Sequence, residues 1–201
     1  MKGHLAVRRA VFLDRDGVLN VDSAAFVRSA SELSVFPWAS RAVARLNEAG
    51  YVVCVVTNQS GVGRGFFTEE DLAAVHAKLS AEIAREGGRL DAIYHCPHRP
   101  SDGCACRKPA IGMLVRAAEE FDLDLRSSWL VGDSPRDIAC GRTACCRTIL
   151  ALSGLDGTYD PAHYPFMPDL VCRDVEEAAR RIISVDDGTT ATSPSASSAR
   201  R

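Results

Sequence analysis

The chain carries two carboxylates, Asp14 and Asp16, two positions apart and directly after the apolar run 10–13. Strand alternation would put both side chains on one side of the backbone, where they repel each other unless a divalent cation or a shared proton intervenes. Beside Mg²⁺, an aspartate can also attack phosphorus as a nucleophile. A lone pair of this kind is more often a helix cap or a turn, so phosphate chemistry requires partners elsewhere in the sequence.

A second polar segment follows the apolar stretch 51–56 and supplies hydroxyl, amide and backbone N–H groups with small residues between them. Such a loop can surround a phosphoryl oxygen, and an arginine near its end can hold a second anionic group. A flexible turn that ends a strand explains the same residues equally well. The candidate binding residues in this segment are Thr57, Asn58, Gln59, Ser60 and Arg64.

Two cations and two further carboxylates complete the set of candidates. Arg107 and Lys108 stand at the start of a helix predicted over 109–121, where the helix dipole favours an anion. Basic pairs in loops are usually only solvated, so this feature is weak by itself. Asp133 lies at the tip of a third apolar strand, and Asp137 lies in the first turn of the next predicted helix. A favourable interaction with the helix dipole explains Asp137 but not Asp133.

Three cysteines and one histidine, Cys96, His98, Cys104 and Cys106, fall within eleven residues. Thiolate and imidazole donors in this number match a closed, tetrahedral structural zinc site. The alternative is a disulfide from Cys96 to Cys104 or Cys106, which a reducing compartment disfavours. In an extended segment the side chain of His95 would point away from its neighbour, so His98 is the predicted imidazole donor. A loop organised by a metal would hold the two cations that follow it.

The elements that must position these residues alternate between strands and helices. Because parallel strands need crossover connections, we predict an α/β protein, a Rossmann-like three-layer sandwich with a central, mainly parallel sheet and a small zinc-binding loop. Ligands of such sheets bind outside the carboxyl ends of the strands, so the polar clusters should meet in one crevice. The predicted strands are 10–13, 51–56, 92–94, 129–131, 147–152 and 169–172, and the predicted helices are 38–49, a segment capped by Thr68, 109–121, a segment capped by Ser134, and 174–183.

Length, composition and charge favour a single globular domain. The chain has 201 residues, of which 46% are hydrophobic and 25% charged, and its formal net charge is -2. We assign residues 1–185 to the domain, 96–106 to its zinc loop and the polar segment 186–201 to a disordered tail. The near-neutral charge disfavours nucleic acid as a partner, and no apolar run resembles a membrane span or a secretory signal. We expect a cytoplasmic monomer.

Four short motifs occur in a fixed order, at 12–17, at 56–58, at 108–109 and at 132–137. Together they resemble the motifs of the haloacid dehalogenase-like phosphohydrolases. The Asp-Arg-Asp-Gly and Thr-Asn-Gln-Ser-Gly sequences, with the cysteine loop that ends in Arg-Lys-Pro, are similar to the branch that contains histidinol phosphatases and heptose-bisphosphate phosphatases. The resemblance covers residues 8–183, nearly all of the predicted domain.

The resemblance implies a Mg²⁺-dependent phosphomonoesterase that works through an aspartyl-phosphate. It implies that Asp14 is the nucleophile and that Asp16 protonates the leaving alkoxide and then activates water. It also implies that the zinc is structural. It implies further that Thr57, Asn58 and Lys108 bind the phosphoryl group, and that Mg²⁺ is coordinated by Asp14, the backbone carbonyl of Asp16 and Asp133, with Asp137 supporting the metal shell. The residues implied to bind or select the substrate are Gln59, Ser60, Arg64, Arg107 and Asp137.

The segment 57–65 ends in Arg-Gly, as in the heptose-bisphosphate enzymes, and this similarity implies removal of the 7-phosphate from a manno-heptose 1,7-bisphosphate. The zinc loop has only five residues between His98 and Cys104, which is closer to the histidinol-phosphate enzymes. Histidinol-phosphate phosphatase is therefore the alternative. A non-catalytic, zinc-organised binding module is a third hypothesis, but every acid that the reaction needs is present. The expected partner is a small phosphorylated sugar.

Overall fold

The computed structural model describes residues 8–155 and 157–188. Strands and helices alternate through these residues, as the sequence predicts. The strands are β1 (Ala10–Leu13), β2 (Val52–Asn58), β3 (Ala92–Cys96), β4 (Trp129–Gly132), β5 (Arg147–Ala151) and β6 (Leu170–Cys172). The helices are α1 (Ala39–Glu48), α2 (Ser60–Gly63), α3 (Glu69–Ala84), α4 (Gly112–Phe121), α5 (Pro135–Thr143) and α6 (Val175–Asp186).

The six described strands form one parallel sheet in the order β3-β2-β1-β4-β5-β6. Strand β1 lies near its centre, and Leu13 is in register with Val55 of β2 and Val131 of β4. The carboxyl ends of these three strands therefore lie side by side. The prediction of an α/β, Rossmann-like sandwich with a parallel sheet is confirmed.

The sheet is covered on both faces, which explains why its central strands are apolar along their whole length. On one face, Val11 and Leu13 pack into a core that includes buried residues of α1, α3 and α6. On the other face, Phe12 and Cys54 pack into a core that includes Leu114 of α4 and Cys140 of α5. Burial on both faces fixes the strands rigidly, so the loops at their ends start from fixed positions.

Helix α3 begins as predicted from its local sequence. The Thr68 side chain accepts a hydrogen bond from the backbone N–H of Asp71, and the Asp71 carboxylate accepts one from the backbone N–H of Thr68. This reciprocal capping satisfies two N–H groups that the helix leaves unpaired. The predicted apolar stripe is buried at Leu72, Val75, Leu79 and Ile83.

Helix α4 begins at Gly112, whereas the sequence predicted a helix from 109. Residues 107–110 form a turn, in which the backbone N–H of Ala110 donates to the carbonyl of Arg107, and the Lys108–Pro109 peptide bond is cis. The prediction that Arg107 and Lys108 stand at a helix N-terminus is therefore wrong. Proline at the first helical position is a common pattern, but here the chain turns once more before the helix starts.

Helix α6 ends at Asp186, three residues beyond the predicted end and one residue inside the predicted tail. The Asp186 carboxylate pairs with Arg9 at 3.2 Å and with Arg147, and it accepts a hydrogen bond from the Tyr51 hydroxyl. These three partners come from distant parts of the chain, so the tail boundary must be moved. The rest of the predicted tail from 189, and the first seven residues of the predicted domain, lie outside the described residues.

No helix in the described segments is long and apolar enough to cross a bilayer.

Candidate active site

A cavity of about 450 Å³ opens at the carboxyl ends of β1, β2 and β4. The sequence predicted that the polar clusters would meet in one crevice here, and they do. Ten of the eleven predicted catalytic, substrate-binding and magnesium-binding residues line this cavity, with Asp137 as the exception. They are Asp14, Asp16, Thr57, Asn58, Gln59, Ser60, Arg64, Arg107, Lys108 and Asp133.

Lys108 is the most constrained group of the site, with a side chain only 1% exposed. Its ammonium lies 2.9 Å from Asp14 Oδ2 and 2.6 Å from Asp137 Oδ1, and it donates to the backbone carbonyl of Val56 at 2.7 Å. Burial alone would lower the pKa of Lys108, but the charges of Asp137 and Asp14 outweigh burial and hold its pKa above the ordinary value. The ammonium is thus paired with two carboxylates and hydrogen-bonded to one carbonyl, so it stays charged and fixed.

The side chain of Asn58 fixes the backbone of Lys108. Its Oδ1 accepts a hydrogen bond from the Lys108 backbone N–H at 3.0 Å, and its Nδ2 donates to the Lys108 carbonyl at 3.1 Å. The sequence assigned this amide to the phosphoryl group, but both of its polar atoms already have protein partners. Asn58 therefore ties the end of β2 to the turn 107–110 across fifty positions of sequence.

Asp137 was predicted to bind substrate and support the metal shell, but its side chain is fully buried beneath the cavity. Its Oδ2 accepts hydrogen bonds from the Ser134 backbone N–H at 3.1 Å and the Ser134 hydroxyl at 2.5 Å, which caps α5. Its other oxygen faces Lys108. The prediction of substrate contact is therefore wrong, because the capping interaction turns this carboxylate toward the lysine.

Asp14 and Asp133 offer carboxylates at the floor of the cavity. One oxygen each of Asp14, Asp133 and Asp137 lie within 4.8 Å of one another. Gly17, with a φ of 78°, and Gly154 both approach Asp133 so closely that a Cβ at either position would collide with its carboxylate. The two glycines therefore make the space that Asp133 occupies.

The pKa values of these carboxyls reflect the crowding of like charges. Burial, together with the charge of Asp137 and against that of Lys108, raises the pKa of Asp14 to about 7. Burial, followed by the charges of Asp14 and Asp137, raises the pKa of Asp133 to about 8. Three carboxylates around one ammonium leave negative charge uncompensated when all are ionised. Oxygen donors with excess negative charge are what Mg²⁺ prefers, so the residues present fit this ion.

Asp16 is held separately from this group. Its carboxylate accepts hydrogen bonds from the Arg15 guanidinium at 2.9 Å, from the Gln59 amide at 2.8 Å and from the Asn20 amide at 2.9 Å. The Gln59 amide also donates to Thr57 Oγ1 at 2.8 Å. The sequence assigned Gln59 to substrate, but its amide is committed to protein partners, so the structure differs from that prediction.

Several cavity residues were missed by the sequence interpretation. The loop between β1 and α1 contributes Asp22, Ser23, Phe26 and Val27, and Arg136 and Leu155 line other parts of the wall. Burial and the nearby charge of Asp16 raise the pKa of Asp22. The loop has no helical or strand periodicity, so nothing in the sequence indicated which of its residues turn inward. Arg136, three positions after Asp133, could have been found as a cation beside a predicted phosphate site.

The four predicted zinc ligands form a cluster. His98 Nδ1 lies 3.2 Å from Cys106 Sγ and 3.5 Å from Cys96 Sγ, and Cys104 Sγ lies 3.5 Å from each of the other two sulfurs. A tetrahedral zinc ion with thiolate ligands has sulfur-to-sulfur edges of about 3.8 Å, so the donor set fits zinc. The cysteines are free thiols, and His95 instead pairs with Glu69 at 3.0 Å. The disulfide alternative, which the sequence disfavoured, is not formed.

Comparison with known proteins identifies relatives of this fold and site. The profile of the HAD-hydrolase-like family matches residues 105–178. The D,D-heptose 1,7-bisphosphate phosphatase of Bordetella bronchiseptica, solved with magnesium and phosphate, is 40% identical, has a TM-score of 0.78, and covers 88% of this chain and 99% of its own. The corresponding enzyme of Burkholderia thailandensis is 35% identical, with a TM-score of 0.67 and the same two coverages of 88% and 99%.

Curated relatives carry the same enzyme name as these solved structures. The D-glycero-beta-D-manno-heptose-1,7-bisphosphate 7-phosphatase of Pseudomonas aeruginosa is 43% identical over 147 residues, which are 73% of this chain and 83% of that protein. The D-glycero-D-manno-heptose-1,7-bisphosphate 7-phosphatase of Thermosynechococcus vestitus is 39% identical over 191 residues, 87% of this chain and 95% of that protein.

The parallel sheet, the carboxylates at its strand ends and these similarities define a hydrolase of the haloacid dehalogenase-like class. Within that class, the chain belongs to the D-glycero-D-manno-heptose-1,7-bisphosphate 7-phosphatase family. The resemblance seen in the four sequence motifs is confirmed. The relatives support the heptose branch and not the histidinol-phosphate alternative.

The space around Asp133 can be tested with two glycine substitutions. Gly17→Ala and Gly50→Ala both place a Cβ at a positive φ, 78° and 82°, but only the one at Gly17 meets Asp133. We expect both variants to lose about 1 kcal/mol of stability from backbone strain, and Gly17→Ala to lose more, because its Cβ also collides with Asp133. Only Gly17→Ala should also lose phosphatase activity, about tenfold or more in kcat, because it displaces a carboxylate of the site. Equal activity of the two variants at matched temperature below unfolding would contradict this assignment.

The raised carboxyl pKa values predict how stability depends on pH without added Mg²⁺. The folded-state pKa values of Asp14 and Asp133, about 7 and 8, lie above the ordinary value of 3.8, so the folded state binds more protons than the unfolded state between these values. Stability should therefore fall as the pH rises from 6.5 to 8. We expect a loss of a few degrees in Tm over this range.

The matched variant is Asp133→Asn, which removes one of the titrating groups. Its Tm should decline less steeply between pH 6.5 and 8, and it should exceed the parent protein at the upper end. Added Mg²⁺ should raise the Tm of the parent more at pH 8 than at pH 6.5, since the ionised carboxylates bind it. A Tm that rises with pH in the metal-free parent would refute the prediction.

Proposed function

We propose that this protein removes the 7-phosphate from D-glycero-D-manno-heptose 1,7-bisphosphate through an aspartyl-phosphate intermediate. The observation that carries the proposal is the charge pattern of the cavity. Its floor pairs the Asp14 carboxylate with a buried, fixed ammonium, whereas Arg64, Arg107 and Arg136 line its wall. A substrate with one phosphate at the floor and a second phosphate near the arginines matches this pattern.

Mg²⁺ would be held by Asp14, the backbone carbonyl of Asp16 and Asp133. When bound, it would neutralise the negative charge of the transferring phosphoryl group and let the Asp14 carboxylate approach it. The relative from Bordetella bronchiseptica was solved with magnesium and phosphate, which supports this role.

In the first step, an Asp14 carboxylate oxygen forms a bond to phosphorus as the bond between phosphorus and the C7 oxygen breaks. Asp16 gives its proton to the departing alkoxide. In the second step, Asp16 takes a proton from water, which attacks the aspartyl-phosphate and releases inorganic phosphate. Asp14 is restored as a carboxylate. Both aspartates line the cavity and their side chains are 14% and 22% exposed, so substrate can reach them.

Lys108 supplies positive charge beside the nucleophile throughout the cycle. Its ammonium lies 2.9 Å from Asp14 Oδ2, and it cannot move away, because Asp137 and the Val56 carbonyl hold it from below. Thr57 Oγ1 already accepts a hydrogen bond from Gln59, so its own proton is free to be donated to a phosphoryl oxygen. Fixed donors of this kind stabilise charge as it develops without any reorganisation.

The same charges disfavour histidinol phosphate. That molecule carries a cationic amine in place of a second phosphate, and Arg64, Arg107 and Arg136 would repel it. Attraction to a second phosphate through charge-assisted hydrogen bonds contributes about 1.5–3 kcal/mol for each arginine that makes one.

A zinc ion bound to Cys96, His98, Cys104 and Cys106 would organise the loop that precedes Arg107. This loop also contacts the segment 57–65. The Arg99 guanidinium donates to the Gly63 carbonyl at 2.6 Å, and the backbone N–H of Gly63 donates to the Pro97 carbonyl at 3.0 Å. We infer that the protein works in the cytoplasm, where thiols stay reduced and available to a metal.

Substrate choice tests the proposed function directly. We expect kcat/KM to be higher for the heptose bisphosphate, measured with both anomers, than for histidinol phosphate under the same conditions. Arg107→Ala should lower kcat/KM for the bisphosphate about 10- to 100-fold and should change it little for a simple monophosphate.

Two controls make this comparison specific. Arg85→Ala removes a surface arginine at the end of α3, outside the cavity, and should leave kcat/KM unchanged for both substrates. Asp14→Asn should abolish turnover of every substrate while the protein stays folded, since the change is nearly isosteric. A preference for histidinol phosphate would overturn the heptose proposal, and substantial activity of Asp14→Asn would overturn the covalent mechanism.

The zinc proposal predicts a metal content of about one zinc per chain in the purified protein. Cys106→Ser should lower that content, lower Tm by several degrees and reduce activity indirectly through the loop that carries Arg107. Cys145→Ser is the matched control, because Cys145 is exposed and lies outside the cluster. Full activity in protein verified to be free of zinc would show that the ion has no role in organising the site.

A further inference from the structure

The Asp16 carboxylate accepts hydrogen bonds from the guanidinium of Arg15, the residue that precedes it in the chain. Arg15 Nε donates to Asp16 Oδ1 at 3.1 Å, and Arg15 Nη2 lies 2.9 Å from both carboxylate oxygens. The Arg15 side chain is completely buried, whereas the Asp16 side chain is 22% exposed. The guanidinium therefore holds the carboxylate from the buried side and leaves its other side open to the cavity.

The guanidinium of Arg15 makes two further contacts. Nη2 donates to Gln59 Oε1 at 3.1 Å, and Nη1 lies 3.4 Å from Nε2 of His76 on α3. Arginine remains protonated in proteins, so it can only donate, and Nε2 of His76 must act as the acceptor. The proton of a neutral His76 ring then resides on Nδ1.

His76 suits this role because its surroundings keep it neutral. Burial, the charge of Arg15 and that of His95 lower the pKa of His76 to about 3. Its ring packs against the His95 ring at 5.6 Å, and His95 is paired with Glu69 at the surface. A chain of contacts thus runs from the start of α3 to the carboxylate of Asp16.

We propose that Arg15 is a positioning residue that aims the carboxylate of Asp16 at the leaving-group oxygen, and that His76 and Gln59 hold Arg15 in the orientation this requires. The inference rests on the proposed function, in which Asp16 delivers the proton to the alkoxide. Arg15 itself transfers no proton and touches no substrate. A planar, two-pronged guanidinium fixes a carboxylate better than an ammonium does, so lysine would not substitute for it.

A leaving group that needs no proton separates this role from a purely structural one. The experiment uses the full-length enzyme in the presence of Mg²⁺, with enzyme in excess over substrate. The first release of the leaving group is followed by rapid mixing. One substrate is the heptose bisphosphate, whose alkoxide must be protonated, and the other is p-nitrophenyl phosphate, whose phenolate departs unprotonated. General acid catalysis is typically worth 10²–10⁴-fold, so Arg15→Lys should slow release of heptose about 10- to 100-fold. Release of nitrophenolate should change less than about threefold, because it does not depend on Asp16 as an acid.

A conservative pair at His76 keeps the test valid if Arg15→Lys fails to fold. His76→Gln retains an acceptor for Arg15 and should behave like the parent, whereas His76→Leu cannot accept and should slow heptose release selectively. In an Asp16→Asn background, Arg15→Lys should add no further loss on the heptose substrate, because the residue through which it acts is already gone.

The outcomes separate this inference from the function on which it rests. Equal slowing of both substrates by Arg15→Lys or His76→Leu would overturn the positioning role and leave the phosphatase function intact. His76→Gln as slow as His76→Leu would overturn the role of His76 as an acceptor. A parent enzyme inactive on both substrates would instead overturn the proposed function.

Discussion

The site depends on one electrostatic constraint: a single ammonium, that of Lys108, is buried against two carboxylates and beside a third. A buried lysine is stable only when its charge is paired and its donors are satisfied. The carboxylates of Asp14 and Asp137 pair with the ammonium at 2.9 and 2.6 Å, and the Val56 carbonyl accepts a hydrogen bond from it at 2.7 Å. The same requirement fixes Asp14, the proposed nucleophile, since its carboxylate cannot turn away without leaving part of the lysine charge unpaired.

Much of the surrounding structure serves that constraint. Ser134 caps α5 and in doing so directs Asp137 at the lysine, and Asn58 holds the lysine backbone at two points. The cysteine loop ends at Cys106, two residues before Lys108, so the conformation of this loop affects the position of the lysine. Segments from three strand ends and from the cysteine loop therefore meet around one charge, and the parallel sheet is what brings them within reach.

The two aspartates of the first motif are held in different ways, and this difference suits two different chemical tasks. Asp14 is more buried and lies among other carboxylates, and burial raises its pKa. Bound Mg²⁺ would restore its negative charge. Asp16 instead faces a buried guanidinium and two side-chain amides, which fix its direction. Burial and neighbouring charges thus set the pKa of Asp14, whereas hydrogen bonds set the orientation of Asp16, although only one residue separates the two in sequence.

The sequence alone determined the α/β fold, the order of the four motifs and the four Cys and His side chains that cluster, because apolar runs, capping residues and ligand spacing are local signals. It could not determine which polar groups the protein itself would occupy. Asn58, Gln59 and Asp137 all looked available to substrate, yet each is engaged by Lys108, Asp16 or Ser134. Asp186 looked like the start of a solvated tail, yet it pairs with Arg9 and Arg147. Whether a polar side chain faces a ligand or another residue depends on contacts between distant segments, and only the tertiary structure creates those contacts.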